Sequence, residues 1–297
     1  MVLKGRLGLE TARVPHADRH GLMWLERGRL AVEDGNLVFT TAGNGKLDAG
    51  AYEIPFQQVS CILLGPGTVI SHDALRLLTR QQTGVLAVGS KGIRLYASSM
   101  PTGPDRSTLA RKQAMLWSNE KTRIDVVRKM YAFRFDEPLP KYARDISSLR
   151  GIEGKRIKKV YESLASQYGV KWSGRKFDRQ NPENDDTINK AINHATTATY
   201  AAAEIAVAVT GTIPQLGFIH ESSGRSFSLD IADLFRSTVS LPIAFQAAKQ
   251  VSEGMGNDIE AQTRKLAGKT FQKQNVIQDM IDQIKTLLSD DDDSDNS

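Results

Sequence analysis

The chain has 297 residues, 40% of them hydrophobic and 25% charged, enough to bury a sizeable core in one large domain or two ordinary ones. No basic stretch leads into an apolar run at its start, and no apolar run is long enough to span a bilayer, so neither export nor membrane insertion is expected. The net charge is +5, but residues 290–297 carry five aspartates and no cation, and without them the balance is +10.

A body this basic suits a polyanionic partner, although many basic proteins bind no nucleic acid. The acidic tail, 290–297, reads as disordered: either a solvated terminus or a competitor for the basic face. The single cysteine, Cys61, lies in the apolar run Val59 to Leu64. It has no partner for an internal disulfide and reads as a buried small hydrophobe in a reducing cytoplasm.

In chain order, residues 1–97 carry strand signals. Met23 to Val32 alternates or runs apolar, Asp34-Gly35-Asn36 supplies a turn, and Leu37 to Thr40 follows, which predicts a hairpin. Further strands are predicted at Ala51 to Ile54, Val59 to Leu64, Val85 to Val88 and Gly92 to Ala97, with Gly65-Pro66-Gly67 and Gly89-Ser90 as punctuation. One helix interrupts them, from about Ser71 to Gln81, capped by Ser71 and carrying Ala74, Leu75 and Leu78 at helical spacing.

The stretch 98–104, with two prolines and a glycine, reads as a linker between this β-rich part and a helical domain over 105–289. The helical pattern begins with Asp105 as N-cap and runs through Leu109, Met115, Leu116, Ile124, Val127 and Met130. Helices are then predicted from Ser148 to Tyr168, stopped by Gly169, and from Asp186 to Thr210, stopped by Gly211. Shorter ones are expected from Phe227 to Arg236 and Pro242 to Ser252, and a last one from Ile259 to Leu288.

Three segments carry side chains suited to chemistry. Glu153 stands near the start of a predicted helix amid Arg150, Lys155, Arg156, Lys158 and Lys159. It reads either as a surface ion pair or as a metal ligand beside a phosphate-binding surface. His220 ends the apolar approach Gly217-Phe218-Ile219, and Asp230 and Asp233, three apart on the next helix, share one face. A histidine with carboxylates can bind a hard or borderline divalent ion; equally, His220 can be a hydrogen-bonded loop histidine and Asp230 a cap.

The third segment is an alanine-rich helix on which Asn189, Asn193, Thr196 or Thr197, and Tyr200 form a polar seam. Tyr200 can stack on a base or hydrogen-bond a phosphate, or simply pack. The loop Tyr168 to Phe177 mixes Lys171, Trp172, Arg175 and Lys176, a composition suited to gripping a nucleic-acid strand. Arg264, Lys265 and Lys269 on the last helix are candidates for backbone contacts, or an ordinary solvated face.

Taken together, these segments resemble the CRISPR-associated integrase that inserts new spacers, in its type I-E form. The resemblance rests on Gly65-Pro66-Gly67-Thr68 with Ser71-His72, on Gly92 to Ser98, and on Val127 to Met130 with Arg134-Phe135. It continues through Leu149 to Gly154, Gln167 to Trp172, Gly174-Arg175, Asp186 to Asn189 and Phe227 to Leu234.

The resemblance implies an α+β protein, with an N-terminal β-sandwich followed by a mainly helical catalytic domain. It implies that Glu153, His220 and Asp233 bind Mg²⁺ or Mn²⁺, that Asp230 supports them, and that Tyr200 and Arg94 lie at DNA. It further implies a prokaryotic cytoplasmic protein that forms a homodimer and joins a second, smaller adaptation subunit in a 4:2 complex. That complex holds a double-stranded protospacer and joins its 3′ ends to the CRISPR repeat.

The chain departs from the family after the histidine, where Glu221-Ser222-Ser223 replaces Thr-Gly and a basic residue, and at Leu229 and Arg236, where tyrosine and lysine are usual. Glu221 reads as a spare ligand or as a charge that repels DNA. Arg236, with Lys155, Arg156, Trp172, Arg175 and Arg264, completes the expected DNA-contacting set. The expected reaction is transesterification, in which a 3′-hydroxyl attacks a scissile phosphate at the metal; endonuclease activity on branched DNA is the companion. A non-catalytic DNA-binding assembly subunit and a metal-dependent nuclease that does not integrate are the rival readings.

Overall fold

The computed structural model describes residues 21–43, 47–99, 107–135, 139–140, 145–175 and 186–289. Most of the expected linker, the Asp105 cap, Lys176 and Phe177, and the acidic tail lie outside them. The chain divides into two compact units, one formed by the residues up to Val88 with Tyr96–Thr108, the other by Gly89–Leu95 and the chain from Leu109 onward. The segment Gly89–Leu95 thus belongs with the helices although it precedes the expected linker.

The first unit is a β-sandwich of two four-stranded sheets. One holds β1 (Leu22–Leu25), β5 (Cys61–Leu64), β7 (Gly84–Val88) and β8 (Leu95–Ser98); the other holds β4 (Gly50–Glu53), β3 (Asn36–Thr41), β2 (Gly28–Glu33) and β6 (Thr68–Ile70). The predicted hairpin is β2 with β3, antiparallel and joined at Asp34-Gly35. Its first strand is not continuous from Met23 to Val32, however. The chain breaks at Glu26-Arg27, where Arg27 takes a positive φ of 56°, and β1 enters the opposite sheet.

The segment 61–70 repeats this passage alongside, with β1 parallel to β5 and β2 parallel to β6. The two corners are tied by Arg27 N–H donating to Pro66 O at 3.1 Å and Gly65 N–H to Leu25 O at 2.8 Å. A Cβ on Gly65 would come within 2.4 Å of Glu26 Cγ, so only glycine admits this close approach. Strand β6 escaped sequence reading because three residues are too few to show alternation.

Between the sheets lie Leu25, Leu30, Leu37, Phe39, Ile62 and Val85, closed by Ala74 and Leu78 of helix α1 (His72–Arg80). Ser71 caps that helix by accepting from Ala74 N–H at 3.2 Å. Cys61 is fully buried.

In the second unit, α2 (Ser107–Ser118) and α3 (Glu120–Phe135) replace the single helix expected from Asp105. Asn119 divides them: its Oδ1 accepts from Lys121 and Thr122 N–H and starts a new helix. Then come α4 (Ile146–Tyr168), α5 (Thr187–Thr210), α6 (Ser226–Leu234) and α7 (Leu241–Ser252). The predicted Ile259 to Leu288 helix is two, α8 (Ile259–Lys273) and α9 (Val276–Leu288), broken where Asn275 turns left-handed at φ 52°.

Helix α5 is the hub, packed against α6, α7, α8 and α9. Its buried Ala191, Ala195, Ala198, Ala202 and Ala206 let neighbours approach on several sides. Between α6 and α7 the chain does not pause in a loop but winds wide, as a π turn over Arg236–Ser240 with Ser240 N–H reaching Phe235 O. Among the described residues no helix is long and apolar enough to cross a membrane.

Phe39 has no exposed surface, so Phe39→Ala is expected to cost roughly 3–5 kcal/mol. Denaturant unfolding followed by a probe in the β-sandwich checks this.

Candidate active site

The segment that carries His220 leaves α5 at Gly211 and returns to the fold at α6. It has little regular structure, and its backbone is satisfied by side chains instead. Asp230 of α6, fully buried, takes the N–H groups: its Oδ2 accepts from Phe218 at 2.6 Å and Ile219 at 3.0 Å, and its Oδ1 from His220 at 3.0 Å.

The carbonyls are taken from the other side. Gln113 donates to Ile213 O and Leu216 O at 3.0 and 2.9 Å, and its own Oε1 accepts Ile213 N–H. Trp117 Nε1 donates to Gly217 O, Arg123 to Phe218 O through two nitrogens, and Arg150 to Ile219 O at 3.2 Å. Gly217 is required by space, since a Cβ there would lie 2.3 Å from His220 O. None of these roles for Gln113, Trp117 and Arg123 shows in the sequence, where each is an ordinary helical residue a hundred positions from its partner.

Asp230 also fixes the imidazole. His220 Nδ1 lies 2.6 Å from Asp230 Oδ1, and because a carboxylate only accepts, Nδ1 carries the proton and Nε2 faces outward with its lone pair. This hydrogen bond first, then the charges of Asp230 and Asp233, hold the His220 pKa above its usual value against the opposing effect of burial. Asp233, one turn beyond Asp230, puts Oδ2 4.0 Å from Nε2.

Glu153 on α4 completes the group. Its Oε2 accepts from the Tyr131 hydroxyl at 3.2 Å, and burial and then the Glu153 charge push that phenol up to about 12, so it stays protonated. Its Oε1 lies 2.7 Å from Nη2 of Arg134, and the same nitrogen is 3.7 Å from Asp233 Oδ2. The Arg134 side chain is only 6% exposed, and although Nη2 is within ion-pair distance, it makes no properly directed hydrogen bond.

Glu153 and Asp233 therefore share the Arg134 guanidinium, and Asp233 links the pair to His220. As the side chains lie, no three His, Cys, Asp or Glu residues among those described are gathered closely enough to hold a metal. The donor set nonetheless fits one. Two carboxylate oxygens and an oriented imidazole nitrogen suit Mg²⁺ or Mn²⁺, and the surroundings already accommodate one buried positive charge, that of Arg134.

The remaining expected residues divide. Tyr200 and Arg236 belong to the same neighbourhood: burial first, then the Asp233 charge, raise the Tyr200 pKa, and Arg236 donates to Tyr161 Oη at 3.0 Å. Arg156 lies 4.5 Å over the Phe135 ring and lines a cavity of about 430 Å³ with Arg134, Phe135, Glu153, Lys159 and Ser237. Lys155 is exposed beside it.

Trp172 and Arg175 have internal partners. Trp172 stacks on Tyr161 with centroids 4.6 Å apart, and Arg175 donates to Asn189 Oδ1 at 2.8 Å and to Asn193 Oδ1. The polar seam of α5 thus grips an arginine of the chain itself. Arg94 and Arg264 both act on His194 of α5, whose pKa is lowered by burial, and Arg264 pairs with Glu260 at 3.3 Å. Glu221 pairs with Arg123.

The family model for CRISPR associated protein Cas1 matches residues 22–139 and 131–254. The chain is 40% identical over 237 residues to the CRISPR-associated endonuclease Cas1 of Escherichia coli (strain K12), covering 80% of this chain and 75% of that protein. It is 36% identical over 276 residues to the protein of the same name from Geobacter sulfurreducens, covering 93% and 87%. Among solved structures, the crystal structure of a TtCas1–DNA complex is similar with a TM-score of 0.81 and 28% identity, over 91% of this chain and 97% of the other.

Asp230→Asn replaces one accepting oxygen by a donor that faces N–H groups, and is expected to cost roughly 3 kcal/mol. In the native protein the raised His220 pKa means that the stability from the His220–Asp230 pair is full below about pH 6.5 and is lost as pH rises through the higher folded value. In the variant that slope should vanish and the His220 pKa should fall, read by NMR titration of the ring. An unmoved His220 pKa would contradict the assigned role of Asp230.

Proposed function

Because the chain belongs to the Cas1 family of CRISPR-associated proteins, we propose that it is a DNA integrase and endonuclease of CRISPR adaptation that depends on a divalent metal. One observation carries the reading: Glu153 and Asp233, from separate helices, meet at one cationic nitrogen, and His220, its Nδ1 held by a buried carboxylate, presents Nε2 toward Asp233. That the related proteins are named endonucleases, and that one similar structure is a DNA complex, supports the same reading.

Glu153, His220 and Asp233 would hold Mg²⁺ or Mn²⁺, which when bound supplies stabilisation for the negative charge that develops on the scissile phosphate. The protein's own groups do the rest. Asp230 holds the Nδ1 proton, aims Nε2 and makes it a stronger donor to a metal; the raised pKa of Tyr200 keeps its phenol available to donate to a phosphate oxygen. Arg156 and Lys159, on the adjoining cavity, neutralise the backbone that approaches.

The reaction is a transesterification. The 3′-oxygen of the incoming protospacer strand forms a bond to phosphorus, the bond from that phosphorus to the repeat's 3′-oxygen breaks, and the freed 3′-hydroxyl takes up the proton released by the attacker. Holding both strands in line and keeping water out separates joining from cutting. By the same reading the chain works as a homodimer, and with a smaller adaptation subunit in a 4:2 complex, on double-stranded DNA.

The test supplies supercoiled plasmid bearing a repeat, short duplexes with free 3′-hydroxyls, Mn²⁺ or Mg²⁺, and the chain with and without its smaller subunit. Joined products are expected only with metal, and Glu153→Ala, His220→Ala and Asp233→Ala should each reduce them more than about 100-fold, beyond the effect of losing an outer-shell contact. Nicking without joining would indicate a nuclease, and DNA binding unaffected by metal an assembly subunit.

A further inference from the structure

We propose that the guanidinium of Arg134 is the site's resident cation: it holds Glu153 and Asp233 together until a divalent ion arrives and withdraws when one binds, so that metal loading and release of Arg134 are one exchange. This rests on the metal-binding reading above and adds to it a residue that competes with the metal for its ligands.

The first support is electrostatic. Glu153 and Asp233 come from different helices, α4 and α6, and both approach one nitrogen, Nη2 of Arg134, at 2.7 and 3.7 Å. Two mostly buried carboxylates without a cation between them would repel each other, so some positive charge must be present for the site to keep its shape. The second support is the geometry of the contact. Arginine ordinarily meets carboxylates through parallel, well-directed N–H bonds. Here Nη2 is buried and makes none, so its attraction to the carboxylates is that of a point charge, which an ion of higher charge supplies better.

The third support is room to move. Arg134 lines the cavity of about 430 Å³ whose other cations are Arg156 and Lys159. A guanidinium displaced from the carboxylates has that space to enter, and there it adds a third positive charge to a surface fitted to phosphate. A guanidinium and a divalent ion compete for the same carboxylate oxygens, because like charges at that separation repel one another.

The test is Mn²⁺ binding to the full chain, by electron paramagnetic resonance of the free ion, with melting temperatures in EDTA and in Mn²⁺. Arg134→Gln should bind Mn²⁺ on the order of tenfold more tightly than the native protein, the size of a typical coupling between competing ligands. It should also melt lower in EDTA and recover when Mn²⁺ is added. Arg134→Lys, with a shorter reach to the carboxylates, should shift affinity the same way but less, and serves if the glutamine variant does not fold by circular dichroism.

Equal or weaker binding by the folded variants, with the native protein still binding Mn²⁺, would overturn the exchange and leave the metal site standing. No binding by the native protein, or binding that survives Glu153→Gln with Asp233→Asn, would overturn the metal site and the exchange with it.

Discussion

A carboxylate without solvent contact has to find its hydrogen bonds inside the fold, and Asp230 finds them at three successive backbone N–H groups and one imidazole. That concentration of donors on one side chain lets a segment with little secondary structure hold a histidine in a defined orientation. It also explains why the opposite edge of the segment needs Gln113, Trp117, Arg123 and Arg150. With its N–H groups drawn to α6, the segment turns its carbonyls toward α2, α3 and α4, and buried carbonyls need donors. The three helices are thereby tied to one short stretch of backbone, and His220 inherits the rigidity of all of them.

Charge balance is the second constraint. Glu153 stands in a basic stretch of α4, but the groups that meet it directly come from α3: Arg134 through the ion pair and Tyr131 through a hydrogen bond. Arg123, about three turns before Arg134 on α3, divides its guanidinium between Phe218 O and Glu221, so the carboxylate after His220 has a cation of its own. Helix α3 therefore controls the charge on both sides of the histidine. Its sequence, Glu120 to Phe135, has hydrophobic and charged residues intermingled around the whole helix, as suits one that faces partners on several sides.

How much of this was legible in the sequence depended on how local its cause is. Caps and stops are local: Ser71, Asp186, Gly169 and Gly211 are where the sequence puts them, because a side-chain acceptor or a left-handed glycine acts on the adjacent turn. Interruptions were missed where the signal was one residue, as at Arg27, Asn119 and Asn275, since the apolar period runs across them unbroken. In the site, the pairing of Asp230 and Asp233 on one helical face was legible from their spacing. The link from Gln113 to Ile213 was not, because nothing in either segment distinguishes a buried glutamine from an exposed one. The mix of Trp172 and Arg175 suggested a strand-gripping loop by composition, yet composition does not reveal that Tyr161 and Asn189 already engage them.

The π turn after α6 connects these arguments. Pro242 near the start of α7 has no N–H to give, and the wide turn from Phe235 to Ser240 lets the chain pass from one helix to the next without a loop. Its consequence is positional. Asp233 sits just before the turn, Arg236 begins it, and Ser237 within it lines the cavity beside Glu153. A regular helix would have rotated the residues after Leu234 by a different amount, carrying Arg236 away from Tyr161 and Ser237 away from the cavity. The continuous run from Asp230 through Phe245 thus serves two purposes with one backbone: its α6 end anchors the histidine, and its widened middle brings polar side chains to the wall of the cavity.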